Sequence, residues 1–270
     1  MEYLPFEVFR LPQSLCKQFK NTYYKLDVMK VLGKDHRKVF ILLDTDCLWT
    51  KPDEKLDELI QSGELLLLDI YQSADPYRKV HHNLSMHDMG LLFKEIDPDY
   101  PTPFPVRYGG EVLAASGDKF CEMVSQLERL FEFLVREAQE NRRSFAFANG
   151  QTIFEGNELP VNFVFNKHLF PVTDLHGYVK RVWASEEINN VKPTDLRVTL
   201  WHLPGEKSTG LALLFEQILD DNSLFWTVPI ESFPQYLGEY VGIPERKHRL
   251  QIKPPSTFRK WVKRFTRYFV

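Results

Sequence analysis

At 270 residues with 43% hydrophobic, 14% aromatic and 26% charged side chains, the chain has the composition of a folded globular protein, not of a disordered or fibrous one. Its three cysteines, Cys16, Cys47 and Cys121, are odd in number and lack paired metal-type spacing, which argues against a disulfide framework or zinc knuckle and for a reducing compartment. No apolar run approaches the ~20 residues of a spanning helix, and Met1-Glu2-Tyr3-Leu4-Pro5 has no signal-peptide form, so the expectation is a cytoplasmic, non-inserted protein.

The net charge of −3 is unevenly spread. Residues 245–270 hold nine Lys/Arg against one acid, a surplus of eight, which leaves −11 on residues 1–244. The sequence thus divides into an acidic body, 1–244, and a basic tail, 245–270.

Residues 4–10 alternate as a strand does, and Leu15 to Leu32 carry the apolar spacing of a helix that ends at Gly33. The run Val39-Phe40-Ile41-Leu42-Leu43 then reads as a strand buried on both faces of a parallel or mixed sheet. Asp44 and Asp46 follow at its carboxyl end, where open α/β sheets bind ligands. Two residues apart on an extended chain, they point the same way and can share one hard cation, Mg²⁺ or Mn²⁺. Aspartate after a strand is also a common turn or helix cap.

Lys51-Pro52-Asp53 is expected to begin a helix running to about Ile60, and Leu65 to Tyr71 a further strand. His81, His82 and His87 match no familiar ligand spacing, and the segment 81–88 reads as a polar loop or helix start. The turn-rich run Pro98 to Pro105 leads into the strand Val106 to Ala115, in which Gly109 and Gly110 indicate a bulge or a close backbone approach. Ser116 to Asn141 is the longest helical pattern. In Phe154 to Phe165, Glu158 and Asn162 share a face if the segment is helical, with Pro160 tolerated in a first turn. Glu158 there also suits a helix N-terminus as a plain dipole partner. Leu196 to Trp201 alternates as a strand and ends in His202, followed by a Gly205 turn and Lys207.

The stretch from Val39 to Trp49 resembles the Asp-x-Asp segment of GT-A-type glycosyltransferases. Thr22-Tyr23-Tyr24-Lys25-Leu26 resembles the segment before that strand in retaining enzymes of the glycogenin and lipopolysaccharide galactosyltransferase kind. The Gly109-Gly110-Glu111 strand, the Asn157-Glu158…Asn162 segment and the His202…Gly205…Lys207 segment are similar to later motifs of that family, in the same order. Pro160, and a lysine one residue early without the Pro-Trp that follows it in the family, depart from the pattern. The family also places a first strand and helix upstream of the point where this chain starts.

The resemblance implies a Rossmann-like GT-A mixed sheet flanked by helices over 1–244, with transfer of a sugar from a nucleotide-diphosphate donor, a UDP-sugar above all, to a hydroxyl of a glycan or glycolipid acceptor, with retention. It implies that Asp44, Asp46 and His202 hold Mn²⁺ or Mg²⁺, that Lys25, Gly109, Gly110 and Lys207 meet the donor, and that Glu158 and Asn162 serve catalysis. Two alternatives stay open: a binding protein of the same fold without turnover, and a metal-dependent nucleotidyltransferase.

In the tail, Phe258, Trp261, Val262, Phe265, Tyr268 and Phe269 fall on one face of a C-terminal amphipathic helix, with five Lys/Arg elsewhere. That pattern predicts peripheral attachment to an anionic membrane surface on its inner face. The acidic body argues against nucleic acid.

Overall fold

The computed structural model describes residues 24–71, 75–79, 83–140, 143–147, 149–154, 158–183, 190–206 and 210–243. The strand expected at 4–10, Lys207 and the tail helix lie outside these residues. The chain is α/β, with two mixed sheets flanked by helices. It forms two compact units: residues 24–43 with 55–175, and residues 44–54 with 176–243. Among the described residues no helix is long and apolar enough to cross a membrane.

In the first unit, helix α1 (Tyr24–Leu32) buries Leu26 and Met29, spaced three apart, and ends at Gly33 as expected. A Cβ at Gly33 would lie 3.1 Å from the Cys121 amide nitrogen, so a small residue allows the close crossing with helix α4 (Gly117–Glu140). Strands β1 (Val39–Leu43), β3 (Leu65–Asp69), β4 (Tyr108–Ser116) and β5 (Val172–Asp174) form a sheet ordered β1-β4-β3-β5. β4 is antiparallel to both neighbours, and β5 is parallel to β3. The expectation that β1 is buried on both faces is corrected. Among the described residues it pairs only with β4, so it is an edge strand, half-buried and with Leu43 exposed. The doubly covered strand is β3, whose four leucines are all buried.

Helix α2 (Glu54–Gln61) begins three residues after Lys51. Asp53 accepts from the Thr199 hydroxyl at 2.6 Å, which holds the chain before the helix in another conformation. Helix α3 (Met86–Ile96) is closed by a capping box of Ser85 and Asp88, so His87 lies in a helix start, while His81 and His82 lie outside the described residues. α4 packs through Phe120, Met123, Leu127, Leu130 and Leu134, which recur at three and four. Helix α5 (Glu158–Lys167) is buried from Leu159 to Asn166, which places Asn162 and Asn166 inside the protein.

In the second unit, β2 (Cys47–Trp49), β7 (Leu200–His202) and β6 (Val179–Arg181) form a sheet ordered β2-β7-β6. The strand expected over 196–201 is shorter. Pro193–Arg197 is a 3₁₀ turn in which the Lys192 amide donates to the Asp195 carboxylate and the Trp201 indole donates to the Asp195 carbonyl. Helices α6 (Gly210–Leu219) and α7 (Phe233–Val241) close this unit over a core of Val182, Trp201, Leu203, Leu214, Leu237 and Val241.

A candidate metal centre and a glycine-floored pocket

The candidate metal centre is built by the β2–β7 ladder. Cys47 stands opposite His202 in the antiparallel register, and the Leu203 amide donates to the Asp46 carbonyl at 2.9 Å, so the ladder runs one residue beyond each strand. His202 and Asp46 are thereby neighbours. Asp44 is brought to them by a turn, not by the extended chain expected: the Cys47 amide donates to the Asp44 carbonyl at 3.0 Å and folds 44–47 back on itself. β7 is pinned on its other edge by β6, with the Val182 amide on the His202 carbonyl at 2.8 Å. Thr50 adds side-chain bonds to the carbonyls of Val198 and Thr199.

The result is a cluster in which one ligand atom from each of Asp44, Asp46 and His202 lies within 4.8 Å of the others. His202 Nε2 is 3.4 Å from Asp46 Oδ2. Ligands on one ion at bonds of about 2.1 Å stand no more than about 4.2 Å apart, so small side-chain rotations suffice to close the set on a cation. Asp46 is only 1% exposed. A carboxylate that deep, beside a second one, is favoured by a nearby positive charge, and two carboxylates with an imidazole are a donor set that a divalent ion satisfies. The residues fit a metal ion.

The first unit gathers the other candidates around β4. The register passes from Leu67 opposite Leu113 to Asp69 opposite Tyr108, two steps along β3 against five along β4, so the irregularity lies between Tyr108 and Leu113, the span that holds Gly109 and Gly110. Lys25 Nζ donates to the Gly110 carbonyl at 2.6 Å, and the Gly110 amide donates to Glu158 Oε1 at 3.4 Å. A Cβ at Gly110 would meet the Glu158 side chain at 3.3 Å and Lys25 Nζ at 3.6 Å, which is the close approach that the two glycines indicated. Lys25, Gly109, Gly110, Glu158, Tyr108 and Met29 line a small pocket there.

Asn162 does not face that pocket as a free catalytic amide. It is fully buried, accepts from the Tyr108 amide at 2.6 Å and donates to the carbonyls of Tyr108 and Glu158. Its amide is a clamp on β4. Asn166, one turn on, holds the amide and carbonyl of Val106 in the same way.

Arg107 was missed by the sequence reading. It is 1% exposed, and its Nη2 lies 3.5 Å from Glu158 Oε2, so it supplies positive charge to that carboxylate. It also opposes the upward push that burial gives the Tyr71 hydroxyl. The only sequence signal was an arginine immediately before an apolar, glycine-bearing strand. Tyr108 beside it is pushed up to about 12, mainly by burial.

Compared with known proteins, the chain matches no family model and no curated protein.

Proposed function

We propose that the protein is a metal-dependent glycosyltransferase of GT-A type, taking a nucleotide-diphosphate sugar, with UDP as the nucleotide, and passing the sugar to a hydroxyl of a glycan or lipid-linked acceptor. The observation that carries the reading is the convergence of Asp44, Asp46 and His202, named from the sequence motif, within 4.8 Å of one another. Bound there, Mn²⁺ or Mg²⁺ would neutralise the charge that builds on a departing diphosphate. Asp44 and Asp46 supply the negative charge that holds such an ion, and His202 a neutral nitrogen donor whose ring is set by the β2–β7 register. Lys207 is kept in this reading as the side chain that meets the phosphates. Glu158 is kept as the carboxylate that faces developing positive charge on the sugar. Membrane attachment through 245–270 is retained with it.

The test is UDP release from a panel of UDP-sugars with Mn²⁺ and with EDTA. Mn²⁺-dependent release that is lost in Asp44→Asn and Asp46→Asn supports the reading. Release that is absent from every UDP-sugar, or equal in EDTA, overturns it.

One observation favours the second reading, a binding protein of this fold without turnover. Lys25 and Asn162, two residues expected to meet donor or reaction centre, are committed to the β4 backbone. Mn²⁺-dependent UDP binding without hydrolysis or transfer would select it.

A further inference from the structure

A group of aromatic rings in the first unit, partly exposed, belongs to neither the metal candidates nor the glycine-floored pocket. Tyr77, His87 and Phe104 have ring centroids 4.9, 6.0 and 6.2 Å apart, and Tyr77 is 62% exposed. Leu91, one helical turn after His87 on α3, is 59% exposed and extends the same face. Large apolar side chains left together in water need a reason.

Their arrangement is fixed by the backbone beneath them. The His87 amide, in the first turn of α3, donates to the Pro76 carbonyl at 3.0 Å and ties the Tyr77 turn to the helix. The Tyr77 amide donates to the Asp75 carboxylate, and the Phe104 amide to the Thr102 hydroxyl. Gly90 brings the two sides together. A Cβ there would stand 2.0 Å from the Pro103 carbonyl oxygen, so only glycine lets the 101–105 segment lie against α3 and set Phe104 beside His87. The rings therefore pay little ordering cost on binding, since their turns are already held.

Size and chemistry select the occupant. A stable protein interface takes about 20–30 residues a side, and among the described residues this face offers four. Its rim is hydrophilic, with Arg78 and Lys79 exposed beside Tyr77. A pyranose has the matching form: one face of C–H bonds that rests on the electron-rich faces of aromatic rings, and hydroxyls round its edge for charged and amide partners. We propose that Tyr77, His87, Leu91 and Phe104 form a saccharide platform of rings tilted 39–73° to one another, on which a sugar ring of a glycan packs. The choice of a glycan as ligand rests on the glycosyltransferase reading, and the platform adds to it a recognition surface that neither the motifs nor the metal cluster includes.

The experiment needs neither metal nor turnover, so its failure and that of the proposed function are separable. Saturation-transfer NMR on the full chain, in EDTA and without nucleotide, would use cellopentaose, maltopentaose and a β-1,4-galactopentaose as probes. The expected result is transfer to the ring C–H protons of at least one probe. Affinity should fall about 2- to 10-fold in Tyr77→Ala and in Phe104→Ala, the factor carried by one ring contact of this kind. Leu219→Ala, an exposed apolar position in the second unit, should leave it unchanged. Transfer to none of the three probes, or equal transfer in wild type and Tyr77→Ala, would overturn the proposal. So would loss of co-sedimentation with phosphatidylcholine vesicles in Tyr77→Ala, which would reassign the face to lipid.

Discussion

At the scale of single residues, the sequence singled out Asp44, Asp46 and His202, which lie together, and Lys25, Gly110 and Glu158, which line one pocket, because each carries chemistry in its side chain or in the lack of one. Arg107 and the clamping role of Asn162 were not legible there. Whether a polar side chain is spent on backbone depends on which strand lies beside it, and spacing along the chain does not contain that. Titratable groups respond in the same local way. A hydrogen bond from Lys167 holds the Asp97 carboxyl below the usual range, at 2.9 Å between the charged atoms. Because the folded value is depressed, the stability this pair contributes is present above the unfolded value of about 3.9 and is lost as pH falls through the lower folded one. Lys167→Met should therefore raise the Asp97 pKa in an NMR titration and weaken the fall of stability with acid below about pH 4. The pair is partly exposed, so the effect on stability at neutral pH should be small. An Asp97 pKa that does not move in the variant would remove the attribution to Lys167.

At the scale of elements, strong apolar periodicity was a good guide: α4 and β3 fall where the pattern puts them. β1 shows the limit. Five apolar residues in a row specify a strand, but edge or centre is decided by what pairs with it, and β4 took the central place. The 193–197 turn shows another. Leu196 and Val198 alternate as a strand would, yet Pro193 and the Asp195 contacts to Lys192 and Trp201 fix a 3₁₀ turn first. α5 is held to this chain segment by Asn162 and Asn166, spaced four apart so that they reach Tyr108, the first residue of β4, and Val106, two residues before it. Asn162→Leu removes two bonds to the Tyr108 backbone and leaves its part-buried amide and carbonyl without them. The expected cost is about 2–5 kcal/mol, read as a lower urea midpoint. A variant within 0.5 kcal/mol of wild type, to order of magnitude, would show that the clamp does not hold the helix to the sheet.

At the scale of the whole molecule, the division into two units could not be seen in the sequence, because residues 44–54 leave the first unit for the second and the chain returns at residue 55. No composition shift marks either crossing. That excursion is also what assembles the metal candidates, since it sets Asp44 and Asp46 against a strand more than 150 residues later in the chain. The cluster thus depends on a non-local pairing, and the motif is only the local half of it. The most direct measurement of the central claim is calorimetric titration of UDP in the presence of Mn²⁺ into wild type, Asp46→Asn and His202→Ala. The account gives Mn²⁺-dependent binding by wild type, a loss of at least about 100-fold in Asp46→Asn, and a smaller loss in His202→Ala, which removes a neutral ligand and not a charge. Equal binding by wild type and Asp46→Asn, with the fold intact by circular dichroism, would contradict it.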